Sequence, residues 1–259
     1  MIRTLKKIRL QFLKKKKLNN YFSYAFGEIV LVMIGILLAL YISNLNEENQ
    51  KREKERWYLT NITEDLTYQI STFKELQDFY TENITIAKSL LYDYYKLESF
   101  TMIDSINPKL NFLLGSEKYP EINNTYTELL ASGQFSLIKS KELSNDIIDY
   151  YLSSKESENY INNDINNIFY KEVFPVFNSL IELNLDNLNF KGKDTVLFKQ
   201  HLKLKKYTRN QLEKIDKQLA LVNAIKLKIW IEDYHLSLIN EMLIASDSLI
   251  KKIDLELEK

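Results

Sequence analysis

One apolar run constrains this chain more than any other feature of its sequence. Residues Ile29–Ile42 read IVLVMIGILLALYI and carry no charge, and the preceding Tyr21–Gly27 is also mostly apolar. With Leu45 at the far end, about 20 residues suit one helical crossing of a bilayer. The sequence therefore predicts a transmembrane helix over residues 21–45.

The charges on the two flanks orient this predicted span. Eight lysine and arginine residues and no acidic residue lie in residues 1–20, whereas Glu47 and Glu48 follow the span. Short basic flanks stay in the cytoplasm. We therefore expect residues 1–20 to be a basic cytoplasmic segment, the protein to lie in the inner (cytoplasmic) membrane, and its C-terminal domain to lie in the periplasm.

A cleaved signal peptide is the alternative interpretation of the same run. Such a peptide needs an apolar core of about 7–15 residues and small residues before the cleavage point. Leu40–Ser43 (LYIS) is a poor cleavage site, and the apolar zone extends back through Phe22. An uncleaved anchor is the favoured interpretation.

Composition predicts an all-α fold for the remainder. The 259 residues include only five glycines and three prolines, which is typical of long helices and not of strand-rich domains. The chain has 35 basic and 35 acidic residues, so the part that follows the basic N-terminus is net negative. This balance argues against a nucleic-acid partner.

A long juxtamembrane helix is predicted over residues 46–100, continuous with the membrane helix. Its apolar residues repeat at close to 3.5-residue spacing, with Gln69 and Asn83 in two of the core positions. The stripe can pack inside its own domain, which we favour, or against a second copy as a coiled coil. In the first case the two polar residues are expected at the edge of the stripe. Trp57 and Tyr58 are expected to pack in the core.

Residues 101–259 are predicted to form a helical bundle that packs with the long helix. Phe100–Glu121 is expected to be a connection with at most a short helix, Gly133 a C-cap and Ser140 an N-cap. Helix is expected to continue past Pro175, to break in a loop at Leu185–Lys193, and to resume from Thr195 to the end. The residues expected on the buried side of this last helix are Leu212, Ile215, Leu219, Val222, Ile225, Ile229, Leu236 and Leu243.

The predicted membrane helix carries one candidate interaction face. Gly35, Ala39 and Ser43 form a ladder of small residues at four-residue spacing, which lets two helices approach closely. Glu28 faces roughly the same way, and a carboxylate within a span is costly unless it finds a donor. In the alternative interpretation, Glu28 reaches the inner interface and Gly35 is incidental.

No pattern in the sequence predicts a catalytic residue, a metal ligand or a cofactor. The two histidines, His201 and His235, lack the clustered partners that a zinc or catalytic site needs. His235 is expected on the surface of a helix beside Glu232 and Asp233. The chain contains no cysteine nucleophile, phosphate-binding glycine loop or HExxH motif.

Three segments of the sequence resemble blocks of one known family. The first is Tyr24–Glu47 (YAFGEIVLVMIGILLALYISNLNE), and the second is Asn124–Ile138 (NTYTELLASGQFSLI). They resemble the opening signature and a second block of an uncharacterised family of single-span proteins from Bacteroidota, the domain of unknown function DUF6090. Leu249–Glu256 is similar to the family's ending. Tyr41 and Leu45 stand where glutamine and tryptophan are usual. The resemblance implies an inner-membrane anchor with a helical periplasmic domain and no assigned activity.

Within that phylum, Asp-Ser/Thr-apolar triplets resemble sites of periplasmic O-glycosylation. Ser105 and Thr195 lie in such triplets in predicted loops, and a third triplet, Asp247–Leu249, lies in a predicted helix. Ser105 and Thr195 are therefore the candidate modification sites.

The sequence as a whole predicts a membrane-anchored scaffold or interaction module. Its expected partners are the lipid bilayer and either a second copy of itself or another membrane protein. The alternatives are a periplasmic ligand sensor and an enzyme that uses carboxylates on the bundle. A concave site with several converging acidic residues would favour the enzyme, and an apolar patch on a helix face would favour binding.

Overall fold

The computed structural model describes residues 18–183 and 201–259, and all regular structure within these ranges is helical. The predicted all-α class is confirmed for this part of the chain. The α-helices are α1 (Leu18–Leu97), α2 (Ile106–Phe112), α3 (Asn124–Ala131), α4 (Lys141–Asp164), α5 (Phe174–Leu180), α6 (Leu202–Leu212) and α7 (Ile215–Leu257). A π-helix, Ile165–Val173, joins α4 to α5, and short 3₁₀ turns span Phe100–Met102 and Gln134–Leu137.

Helix α1 contains both the apolar run and the long apolar stripe. Its most apolar 18-residue window has a mean hydropathy of 2.5, and none of that window is buried, so by length and composition this helix could cross a membrane. No glycine or proline interrupts α1 beyond Gly35, and the helix ends before Glu98, whose φ is 51°. The chain divides into two compact units, Met1–Trp57 and Tyr58–Lys259.

The second unit has two apolar core clusters, and α1 and α7 contribute to both. One cluster joins Leu59–Tyr80 of α1 to α4 and to the C-terminal half of α7. The other joins Ala87 and Leu90 of α1 to α2, α5, the π-helix and the N-terminal half of α7. The apolar stripe of α1 therefore packs inside its own unit, although its last member, Leu97, is exposed.

The two polar residues of the stripe lie in the core, so the expectation that they sit at its edge is wrong. Gln69 and Asn83 are both fully buried. The Tyr150 hydroxyl of α4 donates to Gln69 Oε1 at 3.0 Å, and Asn83 Nδ2 donates to the Phe79 carbonyl at 3.0 Å. A buried polar group is tolerated where a partner satisfies it. Here a core tyrosine and the preceding helical turn satisfy one polar atom of each amide, while Gln69 Nε2 and Asn83 Oδ1 have no hydrogen-bond partner among the described residues.

The ends of α3 and α4 follow the local signals. Gly133 adopts a left-handed φ of 65° after α3, a conformation that glycine takes without strain. The Ser140 hydroxyl accepts a hydrogen bond from the Leu143 amide at 3.2 Å and caps α4. The predicted N-cap at Ser140 is confirmed, and the predicted glycine stop lies one residue after the C-cap of α3, which is Ser132.

Beyond α4 the sequence-based boundaries agree only in part. Helix continues past Pro175 to Leu180, as expected. The loop expected at Leu185–Lys193 and the helix start at Thr195 lie outside the described residues. The expected final helix is two helices, because the chain leaves α-helical geometry at Lys214, whose ψ is 128°.

The buried side of α7 differs from the predicted one. Val222 and Ile225 are buried as expected, but Leu219 and Ile215 are 61% and 77% exposed. The positions opposite them that point inward include charged residues, which periodicity of apolar residues alone assigns to the surface. Trp57 is likewise 52% exposed rather than in the core, whereas Tyr58 is buried.

Candidate functional site

The predicted membrane-helix face lies on α1 in the first unit. Glu28, Gly35, Ala39 and Ser43 are all exposed in the single chain. A Cβ added at Gly35 would meet no described atom within 4 Å. The face is therefore open to a partner, and its role remains a prediction.

The candidate modification sites are placed only in part. Ser105 is exposed, directly before α2, and has a left-handed φ of 61°. Thr195 lies outside the described residues. The third triplet lies in α7, as predicted, and its Ser248 is exposed.

The expectation that His235 lies on a helix surface is wrong. Its side chain is 1% exposed, whereas His201, at the start of α6, is exposed. His235 faces inward together with Lys228 and Glu232, which are 1% and 4% exposed. The spacing of i, i+4 and i+7 places all three on one side of α7. They form, with Asp164 and Tyr80, the group that we call the buried charged cluster.

Lys228 is held by three kinds of contact. Its Nζ lies 2.9 Å from Glu232 Oε1, donates to the Gly115 carbonyl at 3.0 Å, and sits 4.5 Å from the centre of the Phe169 ring. These partners replace much of the hydration that a buried ammonium loses. Burial still lowers the pKa of Lys228, and the Glu232 carboxylate opposes that shift.

Glu232 is only half satisfied. One carboxylate oxygen pairs with Lys228, and the other, Oε2, has no hydrogen-bond partner among the described residues. Burial raises the pKa of Glu232 to about 7, although the neighbouring Lys228 acts in the opposite direction. The carboxyl thus titrates near neutral pH.

His235 connects the cluster to α4 and α1. Its Nε2 lies 3.3 Å from Asp164 Oδ2, and its ring packs edge-on against Tyr80 with centroids 5.5 Å apart. Burial lowers the pKa of His235 to about 4, which the Asp164 carboxylate partly opposes. The ring is therefore neutral at pH 7.

Two of these side chains hold the connection between α2 and α3, residues 113–123. Lys228 donates to the Gly115 carbonyl, and the Tyr80 hydroxyl donates to the Glu117 carbonyl at 3.1 Å. Under this connection lies a cavity of about 10 Å³ that Glu232 and His235 help to line. The connection therefore covers the cluster and is held to it by hydrogen bonds to two of its backbone carbonyls.

The same connection forms one wall of a surface groove of about 280 Å³. Its other walls come from α3 and α4, where the Tyr126 and Tyr151 rings stack with centroids 4.1 Å apart. Leu130 and Leu152, which are 51% and 60% exposed, line the groove as well. An apolar centre with polar neighbours resembles the anatomy of a protein interface.

The acidic residues of the groove do not converge as a catalytic pair. Glu121 and Glu158 both contact Lys155, at 3.3 and 2.7 Å from its Nζ. Each carboxylate is therefore already paired with a cation, unlike the free acid and base that carboxylate catalysis uses. This geometry favours binding over catalysis at the groove.

Sequence reasoning missed the buried charged cluster for a specific reason. Helical charges are usually solvated, so Lys228 and Glu232 resembled an ordinary i,i+4 surface pair. The available signal was their register with Ile225 and Ile239, which share the buried side of α7. Tyr80 and Asp164 lie on other helices, and only the fold brings them near.

Comparison with known proteins leads to one family. Searches of the curated proteins and of the solved structures each gave no match. Residues 28–161 match a family of unknown function, DUF6090, and this range includes the groove and Tyr80 but neither Asp164 nor α7. Because the match spans more than half of the 259 residues, the chain belongs to the DUF6090 family.

Proposed function

We propose that this protein is a single-span membrane protein whose helical unit lies in the periplasm and binds another protein. One observation carries the proposal: the apolar run of α1 is exposed along its length, with no residue of its most apolar window buried. An apolar surface of that size is unfavourable in water and favourable in a bilayer. The basic residues before it support an inner-membrane location with a cytoplasmic N-terminus.

The proposed binding role is supported by the groove in the second unit. Exposed leucines beside a tyrosine stack offer apolar area that a partner side chain can bury. The paired charges of Lys155, Glu121 and Glu158 provide a polar rim. A protein partner, either a second copy or another membrane protein, fits this chemistry better than a reaction does.

Reporter fusions test the topology. An enzyme that is active only in the periplasm, fused after Lys259, is expected to be active, and a fluorescent protein that folds only in the cytoplasm is expected to be dark there. The same two reporters fused before Met1 should give the opposite result. A C-terminal fusion with only the cytoplasmic signal would overturn the proposed location.

Crosslinking in intact membranes tests the binding role. The full chain with a photoreactive residue at Leu152 is compared with the chain carrying the same residue at Leu255, which is equally exposed on α7 but outside the groove. A defined adduct from position 152 and none from position 255 is the expected result. Equal adducts from both positions, or none from either, would contradict docking at the groove.

A further inference from the structure

We propose that the buried charged cluster is an internal proton-binding site, and that the protonation state of Glu232 controls how firmly the connection of residues 113–123 is held over it. This inference concerns the second unit alone. It does not depend on the membrane location or on the partner proposed above.

Burying the ionisable side chains of this cluster costs free energy. Lys228, Glu232 and His235 occupy positions on the buried side of α7 that apolar residues could fill. Replacing a buried ion pair with well-packed apolar residues is often neutral or stabilising. The cluster is therefore not explained by stability, and a buried group with a strongly shifted pKa is a functional candidate.

A small cavity adjoins the Glu232 carboxyl. Glu232 Oε2 is buried and has no hydrogen-bond partner within residues 18–183 and 201–259, and Glu232 lines a cavity of about 10 Å³. A cavity needs roughly 10–15 Å³ for one water molecule. A water at this point would donate a hydrogen bond to Oε2 when Glu232 is ionised and would accept one from the carboxyl O–H when Glu232 is protonated.

The charged groups around Glu232 come from every element packed against it. Lys228 of α7 stabilises its ionised form, and the hydroxyl of Tyr80 from α1 also lies close enough to feel its charge. Asp164 of α4 balances His235, and Glu117 of the connection acts on Tyr80. Burial outweighs the single nearby ammonium, so the closed cluster raises the pKa of Glu232 to about 7.

The contacts of Lys228 link the protonation of Glu232 to the groove on the surface. Lys228 bonds to the Gly115 carbonyl and at the same time pairs with Glu232. A few residues further along the connection, Tyr119 and Glu121 line the groove. A change at Glu232 thus reaches the wall of the groove through one short segment.

The direction of the effect follows from hydration. When the connection lifts, water reaches Glu232, and its ionised form regains the solvation that burial removes. A rise in pH therefore favours the lifted state through Glu232. His235 acts in the opposite direction because its charged form is the one that burial disfavours, so a fall in pH favours lifting through His235.

Hydrogen exchange of the full chain in lipid nanodiscs tests the coupling. The exchange of amides 113–119, corrected for intrinsic pH dependence, is measured at pH 6 and pH 8 in wild type, Glu232→Gln and Glu241→Gln. Glu241 is exposed on the same helix and is the matched control. His235 contributes equally to the ratio of exchange at pH 8 to exchange at pH 6 in both chains, so comparing the chains cancels its effect. The ratio in wild type should exceed that in Glu232→Gln by roughly ten-fold.

Two results would overturn the inference. One is a ratio of exchange at pH 8 to exchange at pH 6 that is equal in wild type and Glu232→Gln. The other is a ratio in Glu241→Gln that falls as far as the ratio in Glu232→Gln. Infrared spectroscopy of wild type alone covers the case in which Glu232→Gln does not fold. A carbonyl band of a protonated buried carboxylic acid should grow as pH falls from 8 to 6. A wild-type protein without such a band over this range keeps Glu232 ionised and contradicts the proposal.

Discussion

Lys228 shows how a single buried residue can have two opposed effects on stability. Its ammonium is costly to bury, yet it compensates Glu232 and holds the Gly115 carbonyl. Removing one partner of a buried pair leaves the other charge unpaired, whereas removing both leaves no charge to solvate. The two kinds of substitution therefore separate the value of the pair from the cost of its burial.

We expect Lys228→Met to lower the free energy of unfolding by about 3–5 kcal/mol at pH 8, because Glu232 then remains buried and unpaired. The double variant Lys228→Met, Glu232→Leu should recover much of that loss. Urea unfolding of the full chain in detergent, followed by tyrosine fluorescence, measures both. Lys251→Met, on an exposed position of the same helix, should change little. A double variant that is less stable than Lys228→Met would contradict this account.

His235 predicts a pH dependence with a defined sign. Burial lowers its pKa to about 4 from an ordinary value of 6.5, so its contribution to stability is present above pH 6.5 and is lost as pH falls toward 4. Relative to wild type, His235→Gln should therefore gain up to about 3 kcal/mol between pH 6.5 and pH 4. His201→Gln, at the exposed histidine, should track wild type in the same denaturation series. Parallel curves for wild type and His235→Gln would refute the assignment.

At the scale of elements, the sequence predicted the positions of the helices better than it predicted which side of each helix is buried. The caps at Gly133 and Ser140 are local backbone chemistry, and both were predictable from the residue itself. The stripe of α1 was also predictable, because its buried positions are nearly all apolar. The buried face of α7 was not, because three of its positions carry ionisable side chains, and the partners that these have outside α7 belong to α1, α4, the π-helix and the connection. The periodicity of apolar residues depends only on side-chain type, so it cannot show which polar side chains find partners in the fold.

Gly133 offers a test of an element boundary. Its φ of 65° strains a residue that has a Cβ, whereas a Cβ at this position would meet no described atom within 4 Å. The cost of a substitution should therefore come from backbone strain alone. Gly133→Ala should lower the free energy of unfolding by about 1 kcal/mol. Gly133→Asn should cost less, because asparagine tolerates the left-handed region. Chemical denaturation measures the pair, and an alanine variant as stable as wild type would show that the end of α3 can change its conformation.

At the scale of the whole molecule, each of the two units exposes an apolar surface. The first unit exposes an apolar helix, and the second unit exposes the groove. The composition of the apolar run predicts a bilayer around it, whereas the groove could not be predicted because it depends on the meeting of α3, α4 and the connection. The small-residue face on the predicted span raises one further question, which is whether the span pairs with a second copy.

The absence of cysteine from the chain allows a clean crosslinking test of that face. Ser43→Cys lies on the face, and Tyr41→Cys, two positions away, lies on nearly the opposite side of the helix. If two spans pack through Gly35 and Ala39, mild oxidation in membranes should give disulfide-linked dimers of Ser43→Cys and few of Tyr41→Cys. Adding Gly35→Ile to Ser43→Cys should reduce the dimer several-fold, because the added side chain keeps the backbones apart.

Glu28 distinguishes self-pairing from simple anchoring in the same assay. Its carboxyl would find a donor across a paired interface, so Glu28→Leu in the Ser43→Cys chain should reduce dimers more than Glu28→Gln, which keeps hydrogen-bonding groups. If Glu28 instead reaches the lipid headgroups, both variants should crosslink like the parent. Equal crosslinking of Ser43→Cys and Tyr41→Cys would show that no specific face pairs. The span would then act as an anchor, and any specific binding would belong to the second unit.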